Sequence, residues 1–169
     1  MKTTIRRHSC TVLAVFAVLL LSACTNRTEQ AISAPDVTFQ TLDGQKIVLS
    51  EASGPVLVNF WSTDCAICLQ EMPAMVELHQ EYQQRGFELI AVAMPFDPPN
   101  FVLEFAESRK LPFPVALDIE GNVLAAFEPV KGTPTSFLID TNGQVVSRIV
   151  GAINFDKLRL RLDTMLSAN

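Results

Sequence analysis

VNFWSTDCAICLQEMP, residues 58–73, joins two kinds of periodicity at a pair of cysteines. Upstream, Pro55 to Trp61 is almost wholly apolar, as a strand buried on both faces should be. Downstream, Leu69, Met72, Met75, Val76, Leu78 and Tyr82 recur mostly at three- and four-residue spacing, which predicts a helix from about Cys65 to Gln84. Pro73 lies inside that helix and removes one backbone bond, and Gly86 stops it. A helix that opens on a cysteine sets the sulfur against unpaired N–H groups and the positive end of the dipole. Both favour the thiolate, which is the nucleophile. Cys65 is then the attacking sulfur. Cys68, inside the first turn, is placed to resolve a mixed disulfide.

Two other uses of the pair stay open from the residues alone. A zinc site needs four protein ligands, or three and a water. Beyond the first 24 residues the sequence offers Cys65, Cys68 and His79. His79 is eleven residues down the helix from Cys68, about 16 Å of rise, and is expected to face solvent. A purely structural disulfide is the second, weakened because so short a loop constrains little of the unfolded chain.

Glu71 stands three residues after Cys68, on a neighbouring position of the same helix face. It is a proton-transfer group for the thiol if burial raises its pKa, and otherwise a surface glutamate. Thr133-Pro134 precedes an apolar strand. Proline opens strands routinely, and a cis bond there would turn the backbone sharply; the residues fit either.

The chain start sets the compartment. Lys2, Arg6, Arg7 and His8 precede an apolar run from Thr11 to Leu21, too short to span a bilayer comfortably but suited to a signal peptide. Leu21-Ser22-Ala23-Cys24 resembles a bacterial lipobox, with cleavage after residue 23 and lipidation of Cys24. An ordinary secretory signal and an uncleaved anchor are the alternatives. Thr25 follows where Asp would resemble inner-membrane retention, which leaves the outer membrane open. The expected organisation is a signal peptide over 1–23, a lipidated tether over 24–35 and one domain over 36–169. Export implies an oxidising compartment. Loss of Lys2, Arg6 and Arg7 from the chain's 13 basic residues leaves 10 against 18 acidic ones, a balance that argues against nucleic acid and against electrostatic attachment to anionic lipid. The lipid would hold the protein at the membrane.

The remaining elements follow from turn chemistry. Asp43-Gly44 predicts a hairpin of Val37–Phe39 and Lys46–Leu49. Phe87–Met94 and Pro112–Leu117 are strands. Asn100 is the expected cap of a helix over Phe101–Arg109, and Val123–Phe127 is helix or strand. Ser136–Ile139 and Gln144–Val150 flank Asp140-Thr-Asn-Gly143 and form a second hairpin, and Asn154 caps a last helix. Parallel crossovers first and an antiparallel hairpin last describe an α/β fold: a mixed sheet with helices on both faces.

Val58-Asn59-Phe60-Trp61-x-x-x-Cys65-x-x-Cys68-x-x-Glu71-x-Pro73, with Val130-x-Gly132-x-Pro134-Thr135-x-Phe137-Leu138-Ile139-Asp140-x-x-Gly143, resembles the TlpA/ResA/CcmG-like thioredoxin-fold reductases. These are bacterial extracytoplasmic thiol–disulfide proteins held to the membrane by a helix or a lipid, several of which serve cytochrome c maturation. The resemblance implies a thioredoxin fold with an N-terminal hairpin and a small insert, near residues 112–131, before the strand that Pro134 opens. It implies that Pro134 is cis and faces the disulfide, that Thr133 offers backbone contacts and Trp61 a contact to substrate, and that Glu71 belongs to the active site. Asn59 stands where thioredoxin itself has a buried Asp. No cofactor beyond the Cys65–Cys68 disulfide is implied. The implied partners are disulfide-containing exported proteins, apocytochrome c among them, and a DsbD-type membrane electron donor.

The sequence departs from that pattern at two places. Asp64 stands where an aromatic residue usually precedes the first cysteine, and Ala66-Ile67 lacks the usual Pro. A carboxylate beside Cys65 disfavours the thiolate, which makes the couple more reducing, the reverse of an oxidant such as DsbA. The expected protein is therefore a lipid-anchored periplasmic thiol:disulfide oxidoreductase running mainly as a reductase. Its rivals are a thiol peroxidase, whose Pro-x-x-x-Thr/Ser-x-x-Cys pattern is absent, and a binding lipoprotein with a structural disulfide.

Overall fold

A computed structural model describes residues 32–127 and 129–167. The signal peptide, Cys24 and most of the tether fall on residues 1–31, outside the described residues. The described chain runs β1 (Ile32–Ser33), β2 (Thr38–Thr41), β3 (Lys46–Val48), β4 (Val56–Trp61), α1 (Ala66–Tyr82), β5 (Glu88–Ala93), α2 (Pro99–Arg109), β6 (Val115–Leu117), α3 (Asn122–Ala126), β7 (Thr135–Ile139), β8 (Gln144–Val150) and α4 (Phe155–Ser167).

The strands form one sheet in the order β1-β8-β7-β4-β5-β6-β2-β3. At its centre β4, buried at every residue, pairs in parallel with β5 and antiparallel with β7. β6 continues the parallel set beyond β5, and the β2–β3 hairpin adds to it antiparallel. This is the mixed sheet of a thioredoxin fold with the expected N-terminal hairpin. The insert before β7 holds β6 and the short helix α3, so Val123–Ala126 is helical and Phe127 caps it.

Alternation along β4 sorts the core into two layers. Leu57 and Trp61 point to the face covered by α1, α2 and α4, where Met72, Met75, Leu78, Val102, Leu158 and Leu162 are buried. Val56, Val58 and Phe60 point the other way, against Phe39, Val123, Phe127 and Phe137. Phe60, Phe127 and Phe137 form an aromatic cluster there, with centroids 4.9–6.1 Å apart. Burying each such side chain stabilises the fold by about 1.5–3 kcal/mol.

Two boundaries differ from expectation. Ile32 and Ser33 are not tether: they pair with Val145 and Gln144 of β8, and Ala34 N–H donates to the Gly143 carbonyl at 2.8 Å. Two residues are too few to carry a strand pattern. Asn100 does not cap α2, which starts one residue earlier at Pro99, with Pro98 as its cap. Proline suits a first helical position because the missing N–H has no helical acceptor to lose. Asn154 does cap α4, accepting from Lys157 N–H at 3.0 Å.

The parallel β4–β5 pair also brings their entries together. Gly86, in the left-handed conformation that ends the helical stretch (φ +91°), places its carbonyl 1.8 Å from where a Cβ on Gly54 would lie. Backbone cannot yield as a side chain can. Gly54→Ala is expected to destabilise the protein by ~3 kcal/mol, read as a lower urea midpoint at unchanged slope; an unchanged midpoint would refute the close approach.

Candidate active site

β4 delivers the chain to the site and the next four residues shape it. After Trp61, Cys65 N–H donates back to the Ser62 carbonyl at 3.2 Å, closing a turn. Ser62 Oγ donates to Asp64 Oδ1 at 2.5 Å. Thr63 is held from outside the segment: its N–H and its Oγ1 each donate to the Asp97 carboxylate, both at 2.6 Å. Asp97 is buried and follows β5, whose last residue, Ala93, is in register with Trp61. Charge-assisted bonds of this kind are about twice as strong as neutral ones. Asp97 is the member of the site that sequence reasoning missed, because Asp97-Pro-Pro-Asn100 carries only a turn signal. Its position just past the strand parallel to β4 is the one clue.

Cys65 is the N-cap of α1, and its Sγ accepts the Cys68 N–H at 3.2 Å. The two sulfurs are bonded at 2.07 Å. Their exposures differ in the way the chemistry requires. Cys65 is half-buried, whereas Cys68 is 2 % exposed. An incoming disulfide meets Cys65 first.

Glu71 is not a surface residue. It is buried, with Oε1 accepting the Ile153 N–H from the loop before α4 and Oε2 without a protein partner. Burial pushes its carboxyl above the ordinary glutamate range, and the Ile153 N–H pulls the other way. It lies one helical turn from Cys68.

The Thr133–Pro134 bond is cis. β7 pairs with β4 as far as Thr135 opposite Phe60, so the cis peptide lies at the sheet end where the active-site turn leaves β4. Thr133 is half-buried and Pro134 buried. The loop is tied down by Gly151 N–H donating to the Pro134 carbonyl at 2.8 Å and by Thr135 Oγ1 donating to Gly132 at 2.7 Å. Below the site Asn59, paired in register with Ser136, donates to its hydroxyl at 2.8 Å in the buried sheet.

Two expectations fail. Trp61 is wholly buried, with its ring 5.3 Å from that of Phe105, so it supports the site and does not offer a face to substrate. It sits at an odd position of β4, which the α1–α2 layer covers. His79 does not face solvent; it is buried with its ring edge-on to Phe113 at 5.8 Å, and burial lowers its pKa. The loop after α2, beyond the reach of a helical pattern, is what covers it. The peroxidase alternative meets a local obstacle: Ser62, the hydroxyl residue three before Cys65, is 1 % exposed and its Oγ donates to Asp64.

A profile of the AhpC/TSA family matches residues 32–148. The thiol-disulfide oxidoreductase ResA of Geobacillus thermodenitrificans is 38 % identical over 144 residues, spanning 83 % of this chain and 82 % of that protein. The thioredoxin-like protein YneN of Bacillus subtilis is 35 % identical over 140 residues, 80 % of this chain and 79 % of that one. Among solved structures, a thiol:disulfide interchange protein of the thioredoxin family from Chlorobium tepidum superposes with a TM-score of 0.74 at 26 % identity, covering 81 % of this chain and 97 % of that one.

Proposed function

The chain belongs to the AhpC/TSA family as a ResA-like thiol-disulfide oxidoreductase with a thioredoxin fold, and from that premise we propose that it is a membrane-anchored reductase of disulfides in exported proteins. The observation that carries the direction of electron flow is the setting of the pair. An accessible Cys65 caps a helix, with the exposed Asp64 carboxylate before it, and the buried Cys68 has the buried Glu71 one turn on.

In the proposed cycle the reduced protein starts with two thiols. Cys65 thiolate attacks one sulfur of the substrate disulfide and expels the other as a thiolate, which takes up a proton. Glu71 accepts the Cys68 proton, and Cys68 attacks Cys65 in the mixed disulfide. The second substrate sulfur leaves as a thiolate and takes up the proton held by Glu71, and the protein is left with the Cys65–Cys68 disulfide. Two electrons have passed to the substrate. A DsbD-type membrane donor returns two electrons to the protein. Thr133, beside the cis-Pro134, offers backbone groups to the substrate segment. Apocytochrome c is one substrate that fits a ResA-like protein.

The leader-like residues 1–23 and Cys24 support export and lipid attachment at the cell envelope, with the domain facing the periplasm. Thr25 keeps the outer membrane as one destination.

Equilibration of the Cys65–Cys68 couple with glutathione buffers tests the direction. A potential well below that of DsbA, about −120 mV, is expected, and Asp64→Asn should move it to a more oxidising value while lowering the Cys65 pKa. A wild-type potential as oxidising as DsbA's, or an Asp64→Asn shift of the opposite sign, would sink the reductase reading.

A further inference from the structure

We propose that Asp97, acting through Thr63, is a positioning residue for the closing step of the cycle: it holds the Cys65 turn against α1 whenever the disulfide is open, so that Cys68 meets Cys65 at a high effective concentration. This deepens the reductase reading and rests on it.

The disulfide is a staple as well as a reagent. In the oxidised protein it ties Cys65 to Cys68 on the first turn of α1. In the dithiol, and again in the mixed disulfide, that tie is gone, and Cys68 must still find the Cys65 sulfur. On the N-terminal side of Cys65 the turn from Ser62 remains. Two of its bonds, Cys65 N–H to the Ser62 carbonyl and Ser62 Oγ to Asp64, are internal and move with it. Among the described residues, the hydrogen bonds that tie Ser62–Asp64 to a distant part of the chain are the two from Thr63 to Asp97.

The anchor is stiff. Asp97 is 6 % exposed, and its own N–H donates to the Met94 carbonyl at 2.9 Å. Pro95 and Pro98 flank it, each with its φ fixed by the ring. Pro95 stands 3.4 Å from where a Cβ on Gly121 would lie. The Pro98 carbonyl accepts from Phe101 and Val102 N–H at 2.9 and 3.2 Å, and Val102 is wholly buried.

The side-chain type points the same way. The two carboxylate oxygens accept two donors, each at 2.6 Å. An asparagine has one acceptor to offer and would turn its amide hydrogens on the other donor. Neither ion pair among the described residues includes Asp97. Burying a carboxylate on neutral donors alone is costly to the fold, and what it supplies is a shorter and stronger bond. Stiffness matters most where a ring must close. Held geometry raises the effective molarity of an intramolecular attack, and a misplacement of about 1 Å can cost about a hundredfold.

The step itself is Cys68 thiolate attacking Cys65 Sγ in the mixed disulfide. The Cys65–Cys68 bond forms, the bond to the substrate breaks, and the substrate sulfur leaves with the electron pair. Asp97 and Thr63 exchange no atom or proton in it. The same hold stabilises the disulfide relative to the dithiol, which makes the couple more reducing.

The test compares Thr63→Val, which removes one bond to Asp97 and leaves every charge in place, with Thr63→Ser, which keeps both donors. Equilibration with glutathione reads the effective concentration of the Cys65–Cys68 pair. Thr63→Val should lower it about tenfold, a shift of about 30 mV in the oxidising direction. Release of mercaptoethanol from the mixed disulfide formed with hydroxyethyl disulfide should slow by a similar factor. The first attack by Cys65 and the Cys65 pKa should stay as in wild type, in contrast to Asp64→Asn. Thr63→Ser should match wild type throughout. By the closed cycle between oxidation and unfolding, the oxidised form of Thr63→Val should lose more stability to urea than the reduced form. An unchanged effective concentration, or an equal loss of stability in both redox forms, would reduce the pair to a structural contact and overturn the proposal. A slowed first attack or a shifted Cys65 pKa would overturn it too. The comparison is between variants and is independent of the absolute potential. A wild-type couple as oxidising as DsbA's would bring down the reductase reading and leave the Thr63→Val difference readable.

Discussion

Cys68→Ser is expected to turn a catalyst into a trap. The reduced variant retains the Cys65 thiol, half-buried at the mouth of α1, and so performs the first attack. It lacks the sulfur that releases the product. One substrate half should accumulate on Cys65 as a mixed disulfide, stoichiometric with protein, while steady-state turnover falls to background. Cys65→Ser should lose turnover as completely and trap almost nothing, because its remaining thiol, Cys68, is 2 % exposed. The asymmetry follows from burial and from the Cys68 N–H directed at Cys65 Sγ. Non-reducing electrophoresis and mass spectrometry of the adduct, with a disulfide-bonded protein as substrate, read both outcomes. Equal trapping by the two variants would refute the division of labour. With an envelope extract as the substrate source, the same adduct identifies the partner.

Glu71→Gln is expected to have the second-largest effect. General acid–base assistance contributes typically 10²- to 10⁴-fold, so release of the mixed disulfide should slow by about a hundredfold or more, with the first attack little changed. The pH profile separates this role from a structural one. Burial raises the Glu71 pKa, so the carboxylate needed as a base is lost at a higher pH than for an ordinary glutamate. The wild-type rate of release should show that acid limb, and Glu71→Gln should abolish it.

Stability provides an independent check with a defined sign. The folded protein holds the Glu71 proton more tightly than the unfolded chain, so this group's contribution is fully present below the unfolded pKa. It is lost as pH rises through the raised folded value. The glutamine variant keeps an acceptor for Ile153 N–H and no charge, so its stability relative to wild type should improve from pH 4 to pH 8, by urea unfolding. A relative stability that declines over that range would mean that Glu71 is stabilised as a carboxylate by something other than Ile153.

The sequence carried much of the fold because its signals are local. A helix opening on Cys65, two hairpins with Asp-Gly and Asn-Gly turns, and the Asn154 cap each lie within a few residues. Glu71 and Pro134 were placed in the site by resemblance, since the residues alone left surface glutamate and ordinary strand-opening proline open. What escaped depends on distance. Asp97 reaches Thr63 across 34 positions only because β4 and β5 run parallel and end together. Trp61 and His79 are covered by Phe105 and Phe113, which no periodicity around them announces. β1 exists because β8 offers it an edge, and its own two residues carry no pattern.

The Thr63–Asp97 pair divides the motif into a fixed part and a free part. Ser62 and Thr63 are anchored, and Cys68 and Glu71 are buried, so changes there disturb neighbours as distant in the chain as Asp97 and Ile153. Asp64, Ala66 and Ile67 are exposed and carry no packing layer. These are the positions where the sequence departs from the pattern it resembles. If Asp64 tunes the couple as proposed, mutational latitude and electrochemical leverage meet at that residue. A lineage could retune potential and partner here by single substitutions, without renegotiating the fold that holds the sulfurs.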